Sequence, residues 1–133
     1  MEFLLSFDPH WIGGFMDLVF RVKNENHPPH PYRYYIVDWK SDNLKNYDSD
    51  SINQHCTNSH YDLQAKIYCR ALDKYLKGIL ADRYNPAQNL GGSLHLFLRG
   101  FKTGSTDGVN TNLWMKKASP IEDENELEKH ILT

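Results

Sequence analysis

Two early stretches, GFMDLVFRV (14–22) and RYYIVDWK (33–40), are dense in aromatic and β-branched residues, with the polar, proline-broken KNENHPPHPY between them. That pattern predicts two strands joined as a hairpin by a long loop. The following SDNLKNYDSDSINQHCTNS shows no hydrophobic period and reads as a connecting loop. From about His60 the pattern becomes helical: Tyr61, Ala65, Tyr68, Leu72, Leu76 and Ile79 recur at three- and four-residue intervals, with Ser59 as N-cap and Asp62 three residues on. Asn85, Pro86, Asn89, Gly91 and Gly92 then interrupt the chain before a third strand, SLHLFLRG. Residues 101–133 read as an irregular tail, with Gly104 and Gly108 early and a short acidic helix, PIEDENELEKHILT, at the end. The order strand, strand, helix, strand predicts an α/β (α+β) fold, a sheet with a helix over one face.

Alternation along the second strand puts Asp38 and Lys40 on one face with Tyr34 and Ile36, and turns Tyr35, Val37 and Trp39 the other way. If the hairpin is symmetric about His27 and Pro28, paired residue numbers add to 55 and Asp17 falls opposite Asp38. Two carboxylates facing each other beside aromatic side chains repel and are costly to bury. A divalent cation compensates both, and hard oxygen ligands with few protein contacts suit Mg²⁺. Lys40 would then orient a water or offset charge developing on a phosphate. The plain alternative is a strand end at the solvent, with Asp17 and Lys40 as an ordinary ion pair.

Composition narrows the class. The 133 residues suit one domain with a modest core, and 40% hydrophobic, 13% aromatic and 24% charged residues are those of a soluble globular protein. Mean hydropathy is -0.65, and the N-terminal MEFLLSFDPHW lacks the features of a signal peptide, so a cytoplasmic location with no membrane is expected. Cys56 and Cys69 lack CxxC spacing and suit a reducing compartment. A net charge of -2 does not by itself announce a nucleic-acid binder.

GFMDLVF, YYIVDWKS, YDLQAKIYCRALDKYL and GGSLHLFLRG, in that order, resemble the nuclease domain of the RecB subunit of exodeoxyribonuclease V, from about Gly13 to Gly100. Their motifs are those of the PD-(D/E)xK nuclease superfamily: an acid on one strand, Asp17, and acid-x-lysine on the next, Asp38-Trp39-Lys40. The resemblance implies a restriction-endonuclease-like central mixed β-sheet flanked by helices. It further implies a Mg²⁺-dependent exonuclease acting on DNA in recombination and repair. Asp17 and Asp38 would bind the metal, with the backbone carbonyl of Trp39 as a further ligand, and Lys40 would be the catalytic lysine. Gln64 and Tyr68 match the family's Q-x-x-x-Y motif; four apart on a helix, they can reach one site together. Implied partners are single strands from an unwound duplex, a helicase region, and RecC- and RecD-like subunits. The core-aromatic reading of Tyr68 stays open beside its family role.

One departure is expected to matter. The family carries a further metal-binding His or acid on a helix well before the first strand, and no counterpart is found here; His10 is not in a helical context. The chain is therefore expected to be a C-terminal fragment, or a short split product, of a longer helicase–nuclease polypeptide, lacking that N-terminal helix. A rival reading is a catalytically incomplete nuclease fold serving as a scaffold or DNA-guiding module. Ser41 reads as a backbone cap or phosphate contact, and Arg99 as a phosphate contact or structural ion pair. His27 and His30 read as solvated loop residues, and His55, Cys56 and His60 as too few ligands for zinc.

Overall fold

The computed structural model describes residues 1–7, 10–100, 113–119 and 129. Strands β1 (Glu2–Phe7) and β2 (His10–Phe15) form an antiparallel hairpin of their own. Strands β3 (Leu18–Lys23), β4 (Tyr32–Lys40), β5 (Leu90–Phe97) and β6 (Leu113–Lys117) form a second sheet in that spatial order. Within it β4 and β5 run parallel, while the outer pairs are antiparallel. Parallel neighbours need a long crossover, here supplied by helices α1 (Ser49–Asn58) and α2 (Tyr61–Leu80), followed by the short α3 (Pro86–Asn89). The result is the mixed sheet flanked by helices that the sequence predicts.

The β3–β4 register follows the predicted sum, from Leu18 opposite Val37 to Lys23 opposite Tyr32. However, 14–22 is not one strand. It breaks at Met16 and Asp17, where the chain passes from one sheet to the other and Met16 sinks into the core at 2% exposure. The polar stretch after Lys40 also differs from expectation, because 49–58 is helix. Asp48 caps it, accepting the N–H of Ser51 at 2.9 Å, and only Ile52 and Cys56 are buried. Two apolar residues one turn apart are enough to seat it against Phe97 but too few to show a period.

Helix α2 buries Ala65, Tyr68, Leu72 and Leu76 as predicted, and leaves Ile79 half exposed. Its stripe packs on Ile36 and Leu90 of the sheet and on Leu5 and Met16 beside the hairpin. Full burial of a leucine such as Leu72 or Leu76 contributes about 2 kcal/mol. Ser59 does not cap α2 but ends α1; His60, left-handed at φ 58°, makes the corner between the helices. The third strand starts at Leu90, earlier than predicted, and stops at Phe97, leaving Arg99 in a 3₁₀ turn over Leu98–Gly100. Within the expected irregular tail, β6 pairs with β5. The acidic helix expected over 120–133 lies outside the described residues, apart from helical Lys129.

Candidate active site

The antiparallel ladder between β3 and β4 stops at Leu18 and Val37, so the last residues of β4 have no β3 backbone beside them. The Asp17 carboxylate replaces it, its Oδ2 accepting the N–H of Trp39 at 2.9 Å. A strand residue directs its N–H and C=O to the same neighbour, so the Trp39 carbonyl is turned to the Asp17 edge as well. Asp17 itself is exposed. Asp38, one residue back, turns to the inner face of the sheet and is only 5% exposed. Its Oδ1 lies 3.4 Å from the Tyr68 hydroxyl, and its Oδ2 is paired with the Lys40 ammonium. Burial pushes the Asp38 pKa up; Lys40 opposes that rise and Asp17 adds to it.

Lys40 is held from three sides. Besides Asp38, its Nζ donates to Gln64 Oε1 at 2.8 Å and rests 3.9 Å from the centre of the Tyr61 ring. The Gln64 amide nitrogen donates to the Tyr68 hydroxyl at 2.9 Å, closing a circuit from Lys40 through Gln64 and Tyr68 back to Asp38. The four-residue spacing on α2 makes that circuit possible by putting both side chains over the end of β4. Burial, then the carboxylates of Asp38 and Asp17, push the Tyr68 phenol up to about 12, so it stays a donor. Tyr68 is also core, edge-on to Phe3 at 5.9 Å, so the two readings of it coexist.

Asp17, Asp38, Trp39, Lys40, Gln64 and Tyr68 thus come together at one end of β4. Asp38 is not at the solvent, and the Lys40 ion pair is with Asp38 rather than Asp17. The sequence reading missed His95, fully buried on β5 directly beside Asp38, whose Nε2 is 3.1 Å from Gln64 Oε1 and 3.9 Å from Asp38 Oδ2. Burial and the Lys40 charge lower its pKa to about 3, leaving it neutral. Also missed was the brace behind Tyr61: Asp42 Oδ2 accepts the Tyr61 hydroxyl at 2.6 Å and contacts His55 Nε2 at 2.7 Å. Partial burial raises the Asp42 pKa, but its bonds to Tyr61 and His55 outweigh that and bring it below the usual value.

Other residues resolve differently. Arg99 Nε donates to the backbone carbonyl of Ser41 at 2.8 Å, tying the turn after β5 to the end of β4. His30 is not a solvated loop residue; half-buried, it stacks on Tyr34 with Nε2 3.0 Å from the hydroxyl. Among the described residues no group of three or more His, Cys, Asp or Glu side chains is arranged to hold a metal, and no helix is long and apolar enough to cross a membrane.

No family model matches the chain. It is similar to the RecBCD enzyme subunit RecB of Haemophilus influenzae, 36% identical over 102 residues, which are 74% of this chain and 8% of that subunit. The RecB subunit of Escherichia coli is 40% identical over 92 residues, 65% of the chain and 7% of the subunit. That of Buchnera aphidicola from Acyrthosiphon pisum is 41% identical over 101 residues, 71% and 8%. The chain spans less than a tenth of the length of these relatives.

Proposed function

The chain belongs to the RecB family, as a relative of one short segment of those subunits, and from that premise we propose that it is a metal-dependent DNA nuclease domain of a RecBCD-type helicase–nuclease. The observation that carries the reading is the convergence of Asp17, Asp38, Lys40, Gln64 and Tyr68 at one strand end. Ordinary stability does not call for this arrangement, since burying a carboxylate and an ammonium together carries a desolvation cost that leaves the pair no more stabilising than apolar side chains of the same volume.

The donors fit Mg²⁺. Asp17 and Asp38 offer hard carboxylate oxygens, the Trp39 carbonyl is turned to the same edge, and an ion that keeps several waters needs few protein ligands. Bound there, Mg²⁺ would neutralise phosphate charge and acidify an attacking water. The remaining roles fall to the chain's own residues. Lys40, fixed by Asp38, Gln64 and Tyr61, would hold a positive charge and a donor where a water meets the scissile phosphate. Gln64 and Tyr68 would position the strand. The net reaction adds water across a P–O bond, leaving a phosphate monoester and a free hydroxyl. DNA repair and recombination, a helicase region and RecC- and RecD-like partners are the setting this reading gives it.

Incubating the purified chain with linear single-stranded DNA and Mg²⁺ tests the proposal, with EDTA and Lys40→Ala as controls. Cleavage that both controls abolish is the expected result. A folded chain that binds DNA without cutting it, or a Lys40→Ala variant that cuts as well as the parent, overturns the reading in favour of a scaffold.

A further inference from the structure

The polarity of the hydrogen-bond circuit around Lys40 can be worked out atom by atom. An ammonium only donates, so the Gln64 atom 2.8 Å from Lys40 Nζ must be the amide oxygen. The amide nitrogen then faces Tyr68, donates to its hydroxyl, and leaves the phenol hydrogen free to turn to Asp38. His95 Nε2 meets that same amide oxygen at 3.1 Å. Since the oxygen only accepts, His95 carries its hydrogen on Nε2 and leaves Nδ1 bare. This agrees with the surroundings of Nδ1, which is buried and bonded to nothing. The ring is clamped edge-on by Trp114 at 5.1 Å and flanked by Tyr61 at 5.5 Å, so it has one orientation in which to donate.

From this geometry we infer that His95 is a positioning residue of the site: donating from Nε2 to Gln64 Oε1, it joins Lys40 in holding the amide in the orientation that presents oxygen to Lys40 and nitrogen to Tyr68. Without that bond Lys40 alone anchors the amide oxygen, and the side chain is held less firmly. Any departure of the amide from this position takes its oxygen from Lys40 and leaves the ammonium with only Asp38 and the Tyr61 ring. The inference rests on the nuclease reading only for its effect on cleavage; the orientation of Gln64 stands by itself.

The test compares three variants of the full chain. A glutamine at 95 reaches the place of Nε2 with an N–H, whereas an asparagine of the same polarity ends near Nδ1, and a phenylalanine fills the space with no donor. The readout independent of activity is the Gln64 side-chain amide in ¹⁵N-labelled protein. In the parent and in His95→Gln it should give a distinct, slowly exchanging pair of signals. In His95→Phe and His95→Asn, where Lys40 and Tyr68 alone hold the amide, the pair should shift and exchange faster. Cleavage should fall about tenfold in those two, the kinetic equivalent of one lost neutral hydrogen bond, and stay within about threefold of the parent in His95→Gln. Should His95→Phe fail to fold, the contrast between Gln and Asn decides. Gln64 signals unchanged in His95→Asn, or equally lost in His95→Gln, overturn the assignment. A parent that does not cut DNA refutes the nuclease reading while leaving the amide result to be judged alone.

Discussion

Acidification should destabilise this protein through His95 by a calculable amount. The imidazole is fully buried, and its pKa falls from 6.5 to about 3, first because burial penalises the charged form and then because Lys40 repels it. Well above pH 6.5 the ring is neutral in both folded and unfolded chains and contributes no pH dependence. As pH falls through 6.5, the unfolded chain takes up a proton that the folded chain refuses until about pH 3, so stability is lost across that window. At pH 5, about 1.5 units below the unfolded value, the loss is about 2 kcal/mol at roughly 1.4 kcal/mol per unit. At pH 6 it is about 0.8 kcal/mol by the same relation. The chain has seven histidines, so the measurement is a difference: urea unfolding of the parent and of His95→Gln, followed by tryptophan fluorescence at pH 8, 7, 6 and 5. The gap between the two curves should shift by about 2 kcal/mol against the parent on going from pH 8 to 5. Curves that stay parallel within about 0.5 kcal/mol would mean that His95 accepts its proton in the folded protein, and the reasoning from burial would fail.

Two further predictions concern the scaffold. Gly92 has φ +151°, and a Cβ there would lie 2.3 Å from the backbone oxygen of Lys116. Gly92→Ala should therefore force β6 off β5 and cost about 2 kcal/mol or more in urea unfolding, whereas an alanine at Gly78, with open space around it, should not destabilise. The Tyr84 hydroxyl donates to Asp73, a 1%-exposed carboxylate, at 2.7 Å. Tyr84→Phe should cost about 1.5 kcal/mol, near the low end for a buried charged acceptor because Arg70 and Lys77 still reach Asp73; no change in the unfolding midpoint would show that those two suffice.

The legible parts of this protein are those in which one pattern determines one structure. Strand β4 carries alternation, β-branched residues and a motif, and its hairpin partner is set by the loop's symmetry, so the register and the face of Asp38 and Lys40 follow from counting. Helix α2 has a stripe long enough to show its period, which also places Gln64 and Tyr68 on one turn. His95 is different. Alternation alone puts Ser93, His95 and Phe97 on one face of β5, but its neighbour is fixed by a parallel register across the long crossover from Lys40 to Leu90, which no local pattern encodes. Asp42 and Tyr61 meet through the α1–α2 corner, built on a left-handed His60 and a helix with two buried apolar residues, and neither leaves a period to read.

The charges at the strand end also bear on when DNA can approach. Asp17 and Asp38 contribute two negative charges and Lys40 one positive, so the site without a cation carries about −1, the same sign as a phosphodiester, and repels it. A divalent cation changes the sum to about +1, which is why a site built this way should admit a strand only in the loaded state. Removing the carboxylate charges without a cation should mimic loading electrostatically while removing the metal ligands. The double variant Asp17→Asn, Asp38→Asn should therefore bind single-stranded DNA in EDTA more tightly than the parent, by about three- to tenfold at low salt, and should lose the response to Mg²⁺ that the parent shows. Fluorescence anisotropy of a labelled oligonucleotide measures both. Equal affinity of the two proteins in EDTA would mean that the strand passes elsewhere on the surface, and that these acids do not face its backbone.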